Sequence, residues 1–378
     1  MHRVLLLGAG TIGRMIAKLL SRTGDYELLV GDVDERLLQR IHQQSGTATR
    51  LLDAQNPAEV QEGLRNRDSV ISALNFRLNP LVAAAATAAG VNYFDLTEDV
   101  ETTRRVREFA AGCRPDRVVM PQCGLAPGFI SIVAHHLTKA FDSLDTVHMR
   151  VGALPQFPSN TLKYNLTWST DGLINEYCNL CETIHDGRLI EVLPLEGLES
   201  FSLNGVRYEG FNTSGGLGTL CDTLAGKVRE LNYKTIRYPG HRDLVSFLVH
   251  DLKLNSRRDV LKDILERAIP VTFQDLVVVF CTVTGRRKGR FAQISDARTI
   301  YSQLIDGEAW SAIQITTAAA VCAAMDLMRA GKLPHGGFIR QEEIGYDDFL
   351  SNRFGRHYVE EASSGRSGIR DFGVSNDA

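Results

Sequence analysis

The sequence predicts an α/β fold: an N-terminal doubly wound parallel sheet, followed by an α+β domain for substrate and dimer contacts. Three observations carry this. The apolar run Val4-Leu5-Leu6-Leu7 breaks into Gly8-Ala9-Gly10-Thr11-Ile12-Gly13. Short apolar runs then alternate with helical periodicity, and six strands fit before residue 122. After the segment Gly124-Leu125-Ala126-Pro127-Gly128-Phe129 the strands read as longer and antiparallel.

The first element is a strand, and the glycines that end it make a tight turn into a helix. Gly8 permits the turn, Gly10 lets a pyrophosphate approach the backbone, and Gly13 lets the helix pack on the strand. The N–H groups of Thr11, Ile12 and Gly13 open the helix toward the phosphates. Ile12, Ile16, Leu19 and Leu20 recur at helical spacing, and a second strand over 27–31 ends at Asp32, 22 residues after Gly10. A carboxylate there accepts hydrogen bonds from ribose hydroxyls and repels a 2′-phosphate, so the expected cofactor is NAD rather than NADP. This is the signature of a Rossmann domain.

Helices over 35–44, 57–64, 79–89 and 100–111 alternate with strands over 48–52, 69–74, 92–95 and 117–120. Ligands of parallel sheets lie beyond the carboxyl ends of the strands, which marks Asn75, Phe76, Asp95, Leu96, Cys123 and Gly124. Asn75 and Cys123 are cofactor candidates, and Cys123 reads equally as a small buried hydrophobe. Asp95 is either a catalytic carboxylate or the cap of the helix starting near Val100.

Strands over 147–151, 200–203, 234–238 and 277–284 predict a sheet with hairpin-like connections. A strongly apolar helix over 309–328 is expected to return and cover the first domain. The domain reading is therefore 1–122 NAD-binding, 123–308 substrate, 309–358 a returning helical segment, and 359–378 a disordered Ser/Gly/Arg/Asp-rich tail.

Composition agrees with a soluble globular protein: 378 residues, 44% hydrophobic, 23% charged, net charge −3. Near-neutral charge argues against a nucleic-acid partner. The chain enters a core strand at once and has no membrane-spanning run, so a cytoplasmic location is expected. Seven cysteines are scattered without framework spacing, which fits a reducing compartment. Cys178 and Cys181 form a CxxC with no second pair. The segment reads as helix, so packing is favoured and no metal site is expected.

Several stretches together resemble the saccharopine dehydrogenase and lysine 6-dehydrogenase family. They are the glycine motif, Asn92-Tyr93-Phe94-Asp95-Leu96-Thr97, Gly124-Leu125-Ala126-Pro127-Gly128, Leu162-Lys163-Tyr164, Trp168-Ser169-Thr170-Asp171-Gly172 and Lys234-Thr235-Ile236-Arg237-Tyr238-Pro239-Gly240-His241. The resemblance implies nicotinamide-dependent oxidation of a carbon bearing an amine in lysine metabolism, with a small amino acid as substrate. The antiparallel domain and the long apolar helix, whose faces need cover, lead to the expectation of a homodimer. Lysine 6-dehydrogenases pass hydride from the ε-carbon of lysine to NAD. Glutamate-forming saccharopine dehydrogenases act on a secondary amine, and fungal ones tend to use NADP and to carry an arginine where this chain has Asp171. Asp171 and Asp32 lean toward the lysine 6-dehydrogenase reaction. Saccharopine dehydrogenase, a carboxylated-polyamine dehydrogenase and a catalytically silent NAD-binding sensor are the alternatives.

Amine oxidation needs an unprotonated amine and hence a general base with a pKa near working pH. His241, Lys163 and Asp95 are candidates: His241 at a Tyr-Pro-Gly turn expected to open on a domain mouth, Lys163 if desolvated. Against these stand a turn-stabilising histidine and a surface lysine. Arg237 is the expected anchor for a substrate carboxylate, because its planar fork matches one bidentately, with Tyr238 in support. Tyr164, Asp171 and Thr213 complete the expected substrate contacts; Thr213 and Ser214 lie in a glycine-rich run that also reads as a structural turn.

Overall fold

The computed structural model describes residues 1–334, 336–359 and 370–371, and the chain divides into two compact units. The tail expected over 359–378 lies almost wholly outside these residues. Unit 1 comprises Met1–Phe129 and Gln314–His357, and unit 2 comprises Ile130–Ile313 and the chain from Tyr358.

Unit 1 opens with β1 (His2–Leu7), α1 (Thr11–Ser21), β2 (Tyr26–Asp32), α2 (Glu35–Ser45), β3 (Ala48–Leu51), α3 (Pro57–Leu64) and β4 (Ser69–Ser72). It continues with α4 (Asn79–Ala89), β5 (Asn92–Asp95), α5 (Val100–Ala110) and β6 (Val118–Met120). Side chains cap several of these helix starts. Asn56 and Asp99 cap α3 and α5 by accepting the Ala58 and Thr102 backbone N–H. Asp99, and not Asp95, is thus the cap of the helix at Val100.

In unit 2, α6 (Phe129–Thr138) leads into β7 (Ser143–Pro155), then α7 (Thr170–Cys178) and the strands β8 (Cys181–His185), β9 (Arg188–Val192), β10 (Glu199–Leu203) and β11 (Val206–Asn212). After α8 (Leu220–Leu224) come β12 (Glu230–Arg237), α9 (His241–Ser246), α10 (Arg258–Ala268), the long hairpin β13 (Asp275–Arg287) and β14 (Arg290–Tyr301), and the small hairpin β15 (Gln303–Ile305) and β16 (Glu308–Trp310). The central strand β7 is antiparallel to β13 but parallel to β12, with Lys234 opposite Arg150. The sheet is therefore mixed, which corrects the antiparallel expectation: the chain between β7 and β12 is long enough for the crossover a parallel neighbour needs. A second core forms where α7 and α10 pack, around Leu173, Ile174, Tyr177, Val245, Leu261 and Leu265.

The CxxC segment is not one helix. Cys178 ends α7, Asn179 is extended, and Cys181 begins β8. Burial raises both thiols, Cys181 to about 12, which makes them poor thiolates at neutral pH.

The chain then rejoins unit 1. Most of α11 (Ala312–Arg329) belongs there, followed by β17 (Gly337–Phe338) and α12 (Tyr346–Ser351). β17 pairs in parallel with β6 and completes a seven-stranded parallel sheet of order β17-β6-β5-β4-β1-β2-β3 among the described residues. A polar knot fastens this return: the Tyr26 hydroxyl donates to Asp326 at 2.5 Å, and Arg353 bridges Asp326 at 2.7 Å and Asp25 at 2.5 Å. No described helix is long and apolar enough to cross a membrane.

Candidate active site

The turn from β1 to α1 has the form a dinucleotide requires. Gly8 has φ +103°, a backbone that side chains rarely adopt. A Cβ on Gly13 would lie 1.9 Å from the Gly8 carbonyl oxygen, whereas one on Gly10 meets nothing within 4 Å. So Gly13 is fixed by close packing, and Gly10 faces open space. No side chain caps α1 and no acidic residue occupies its first turn, which leaves the helix start with its N–H groups and positive dipole end. Asp32 ends β2. One carboxylate oxygen accepts the Ala9 N–H at 2.6 Å and the other the Asp34 N–H at 2.8 Å, locking the strand tip to the glycine turn. These residues fit a bound dinucleotide: an open, uncapped helix start for the pyrophosphate and a fixed carboxylate for ribose hydroxyls.

The other strand-end candidates of unit 1 are engaged within the protein. Asn75 accepts from the Arg77 N–H at 3.1 Å. Asp95 is fully buried and accepts from Tyr93 Oη at 2.7 Å and from the Thr97 and Gln122 backbones at 3.0 and 2.9 Å. Burial raises it to about 6 against those bonds. It ties the ends of β5 and β6 together. Cys123 is also fully buried, donates from Sγ to the Met120 carbonyl and accepts from Gln341 Nε2 at 3.0 Å, and burial pushes its thiol well above its ordinary value.

In unit 2 a buried polar cluster sits where β12 ends and α9 begins. Arg237, at 3% exposure, stacks over the Tyr164 and Tyr177 rings at 4.9 and 5.8 Å. Its Nε donates to Tyr177 Oη at 3.1 Å, and Nη1 donates to Thr235 Oγ1 at 2.6 Å and to the Ile236 carbonyl at 2.9 Å. Nη2 faces Glu176 at 3.5 Å. With these donors used, the fork does not offer the free bidentate face expected for a substrate carboxylate; only Nη2 has capacity left.

His241 also departs from expectation. The ring does not open on a mouth but is 1% exposed, with Nδ1 2.9 Å from the Leu162 carbonyl and Nε2 2.9 Å from Tyr177 Oη. A carbonyl only accepts, so Nδ1 carries the hydrogen and Nε2 accepts from the Tyr177 hydroxyl. The chain of bonds runs Arg237 to Tyr177 to His241. Burial, then the Arg237 charge, lowers His241 to about 3, so it stays neutral instead of titrating near pH 7. Glu209 fixes the preceding turn by accepting the Gly240 and Arg242 N–H groups at 2.8 and 2.7 Å.

The remaining candidates lie around this cluster. Tyr164 is fully buried and accepts from Trp168 Nε1 at 3.2 Å. Lys163 is exposed, with Nζ donating to the Pro239 carbonyl at 2.9 Å. Tyr238 donates to the Pro155 carbonyl at 2.9 Å and stacks on Tyr208. Asp171 pairs with Lys262 Nζ at 2.6 Å. Thr213 is buried with Oγ1 lacking a partner. Sequence reasoning passed over Glu176 and Tyr177. The signal for Glu176 was its place three residues after Leu173, on the apolar stripe of α7.

Comparison with known proteins converges on one family. The saccharopine dehydrogenase C-terminal domain matches residues 124–355, and the saccharopine dehydrogenase NADP binding domain matches residues 4–117. The chain belongs to the saccharopine dehydrogenase family. Its curated relatives include alpha-aminoadipic semialdehyde synthase, mitochondrial, from Mus musculus, 24% identical over 297 residues, and the Bos taurus protein of the same name, 24% identical over 298 residues. In each case the match covers 75% of this chain and 31% of the relative, so the chain spans under a third of these proteins. Among solved structures, apo saccharopine dehydrogenase (L-Glu forming) from Saccharomyces cerevisiae shares the fold, with TM-score 0.74 at 17% identity, covering 92% of this chain and 95% of that one.

Proposed function

We propose that this family member is a nicotinamide-dependent dehydrogenase that oxidises an amine-bearing carbon of an amino acid, with lysine as substrate and NAD as hydride acceptor. The glycine turn and the uncapped start of α1 support dinucleotide binding through Gly8, Gly10, Thr11, Ile12 and Gly13. A nicotinamide supplies the hydride-accepting carbon. Asp32 supports NAD, since a 2′-phosphate would meet a carboxylate already fixed in place by two backbone N–H groups.

The observation that carries the choice of lysine is the Asp171–Lys262 pair at 2.6 Å. A closed pair of opposite charge offers a second substrate carboxylate much less than an unpaired arginine would, and saccharopine differs from lysine by its glutamate skeleton. Tyr177 holds His241 in one tautomer and Arg237 in one orientation, leaving Arg237 Nη2 as the donor for the carboxylate lysine retains.

Cofactor reduction with lysine, saccharopine and a carboxylated polyamine, each with NAD and NADP, tests the reading. Lysine with NAD is expected to be fastest. Preference for saccharopine with NADP would replace it by the glutamate-forming reaction, and NAD binding without reduction by any amine would make the protein a sensor.

A further inference from the structure

Glu176 lies near the end of α7 with 7% of its surface exposed, and its Oε2 is buried without a hydrogen-bond partner. The nearest described cation, Arg237 Nη2, stands 3.5 Å away, too far for a strong charge-assisted bond. Arg237 meanwhile gives Nε and Nη1 to Tyr177, Thr235 and Ile236. The carboxylate is therefore under-compensated, and burial raises it to about 7 although Arg237 opposes the shift. A buried carboxylate oxygen left without a donor loses its full hydration.

A second unmet acceptor is attached to the same helix turn. Thr213 is 2% exposed, and its Oγ1 has no partner. Its neighbour Ser214 staples this turn to α7: the Ser214 backbone donates to the Glu176 carbonyl at 3.2 Å, and its hydroxyl to the Asn175 carbonyl at 2.9 Å. Two buried oxygens thus lie unsatisfied on segments held together by two hydrogen bonds. A ligand carboxylate set directly against Glu176 would be repelled, and an apolar group there would leave both oxygens unpaired. A primary ammonium brings three donors and the missing positive charge.

We propose that Glu176, with Thr213 Oγ1 as a second acceptor, is the site that recognises the ammonium group of the substrate. This rests on the amino-acid reading above but names a group that reading did not use.

The test is calorimetric titration of the full chain, without cofactor, using L-lysine, 6-hydroxynorleucine (hydroxyl for ε-ammonium) and 6-aminohexanoate (no α-ammonium). In the wild type, loss of one of the two ammonium groups is expected to weaken binding by about ten-fold or more, as for a charge-assisted hydrogen bond. Glu176→Gln should abolish that discrimination, and Thr213→Val should reduce it. Equal binding of all three compounds, no binding of lysine at millimolar concentration, or discrimination that survives Glu176→Gln overturns the proposal.

A measurement on the wild type alone covers a variant that fails to fold. At pH 6, lysine binding should release close to one proton as Glu176 ionises, and at pH 8 almost none. No release at pH 6 overturns the proposal. Cofactor reduction by lysine without Glu176-dependent discrimination would leave the reaction standing and remove this site; Glu176-dependent ammonium binding without reduction by any amine would do the reverse.

Discussion

Removing one oxygen atom, by Tyr177→Phe, tests whether the Arg237–Tyr177–His241 chain organises unit 2. The hydroxyl is bonded at 3.1 Å by Arg237 Nε and at 2.9 Å to His241 Nε2. Both partners are almost fully buried, so water does not replace it. An orphaned buried polar group costs about 1–3 kcal/mol, more when charged, and two are created. Relief of the hydroxyl's own desolvation offsets about 1–2 kcal/mol. The expected net loss is about 2–3 kcal/mol. Both tryptophans, Trp168 and Trp310, lie in unit 2, so their fluorescence in a urea titration reports its unfolding. Tyr164→Phe is the control: the Tyr164 hydroxyl bonds to Trp168 Nε1 but to neither Arg237 nor His241 at hydrogen-bond distance, so its loss should cost about 1 kcal/mol. A Tyr177→Phe loss below about 1 kcal/mol, or equal to that of the control, refutes the reasoning.

Other outcomes follow from the same geometry. Gly13→Ala drives a methyl group into the Gly8 carbonyl oxygen and should destabilise unit 1 by about 1–3 kcal/mol while weakening NAD binding, measured by nicotinamide fluorescence. Asp32→Ala should lower NAD affinity about ten-fold and narrow the gap to NADP, provided the parent prefers NAD. His241 has a folded pKa of about 3 against 6.5 ordinarily, so the unfolded state binds more protons between those values, and the stability it contributes is present above pH 6.5 and lost as pH falls toward 3. Wild-type stability should therefore rise with pH across that window more steeply than that of His241→Gln, by at most about 1.4 kcal/mol per unit. Equal slopes would show that the histidine is not held neutral. Asp275 accepts the Ala312 and Ile313 N–H groups at 2.5 and 3.1 Å, and Asp275→Ala should cost about 1–2 kcal/mol in the same fluorescence assay.

The strand-turn-helix start of unit 1 was legible because its determinants are local. Gly8, Gly10, Gly13 and Asp32 fall within a single strand-helix-strand unit, where spacing and backbone freedom carry the meaning. Partners distant in sequence were not legible. Glu176 and Arg237 are brought together by the docking of α7 near β12, and the place of Glu176 on the apolar stripe of α7 signals burial but does not name the partner that the docking brings. For His241, the Tyr-Pro-Gly sequence announces a turn but does not say that Phe211, Tyr164 and Tyr177 close over the ring. The parallel pairing of β12 with β7 left no mark because strand direction is set by the crossover rather than by the strand. At β17, two residues beginning with glycine have no strand periodicity at all, and pairing with Val118 and Val119 makes them a strand.

That two-residue strand bears on how the protein is made. Unit 1 is assembled from two separate stretches, Met1–Phe129 and Gln314–His357, with Ile130–Ile313 of unit 2 between them. A ribosome that has delivered the stretch through Phe129 presents a parallel sheet whose β6 edge lacks its β17 partner. That edge must stay unjoined to other chains until Gly337–Phe338 is synthesised, after the whole of Ile130–Ile313 and the start of the returning stretch. The fragment Met1–Phe129 should therefore aggregate instead of standing as an independent nucleotide domain.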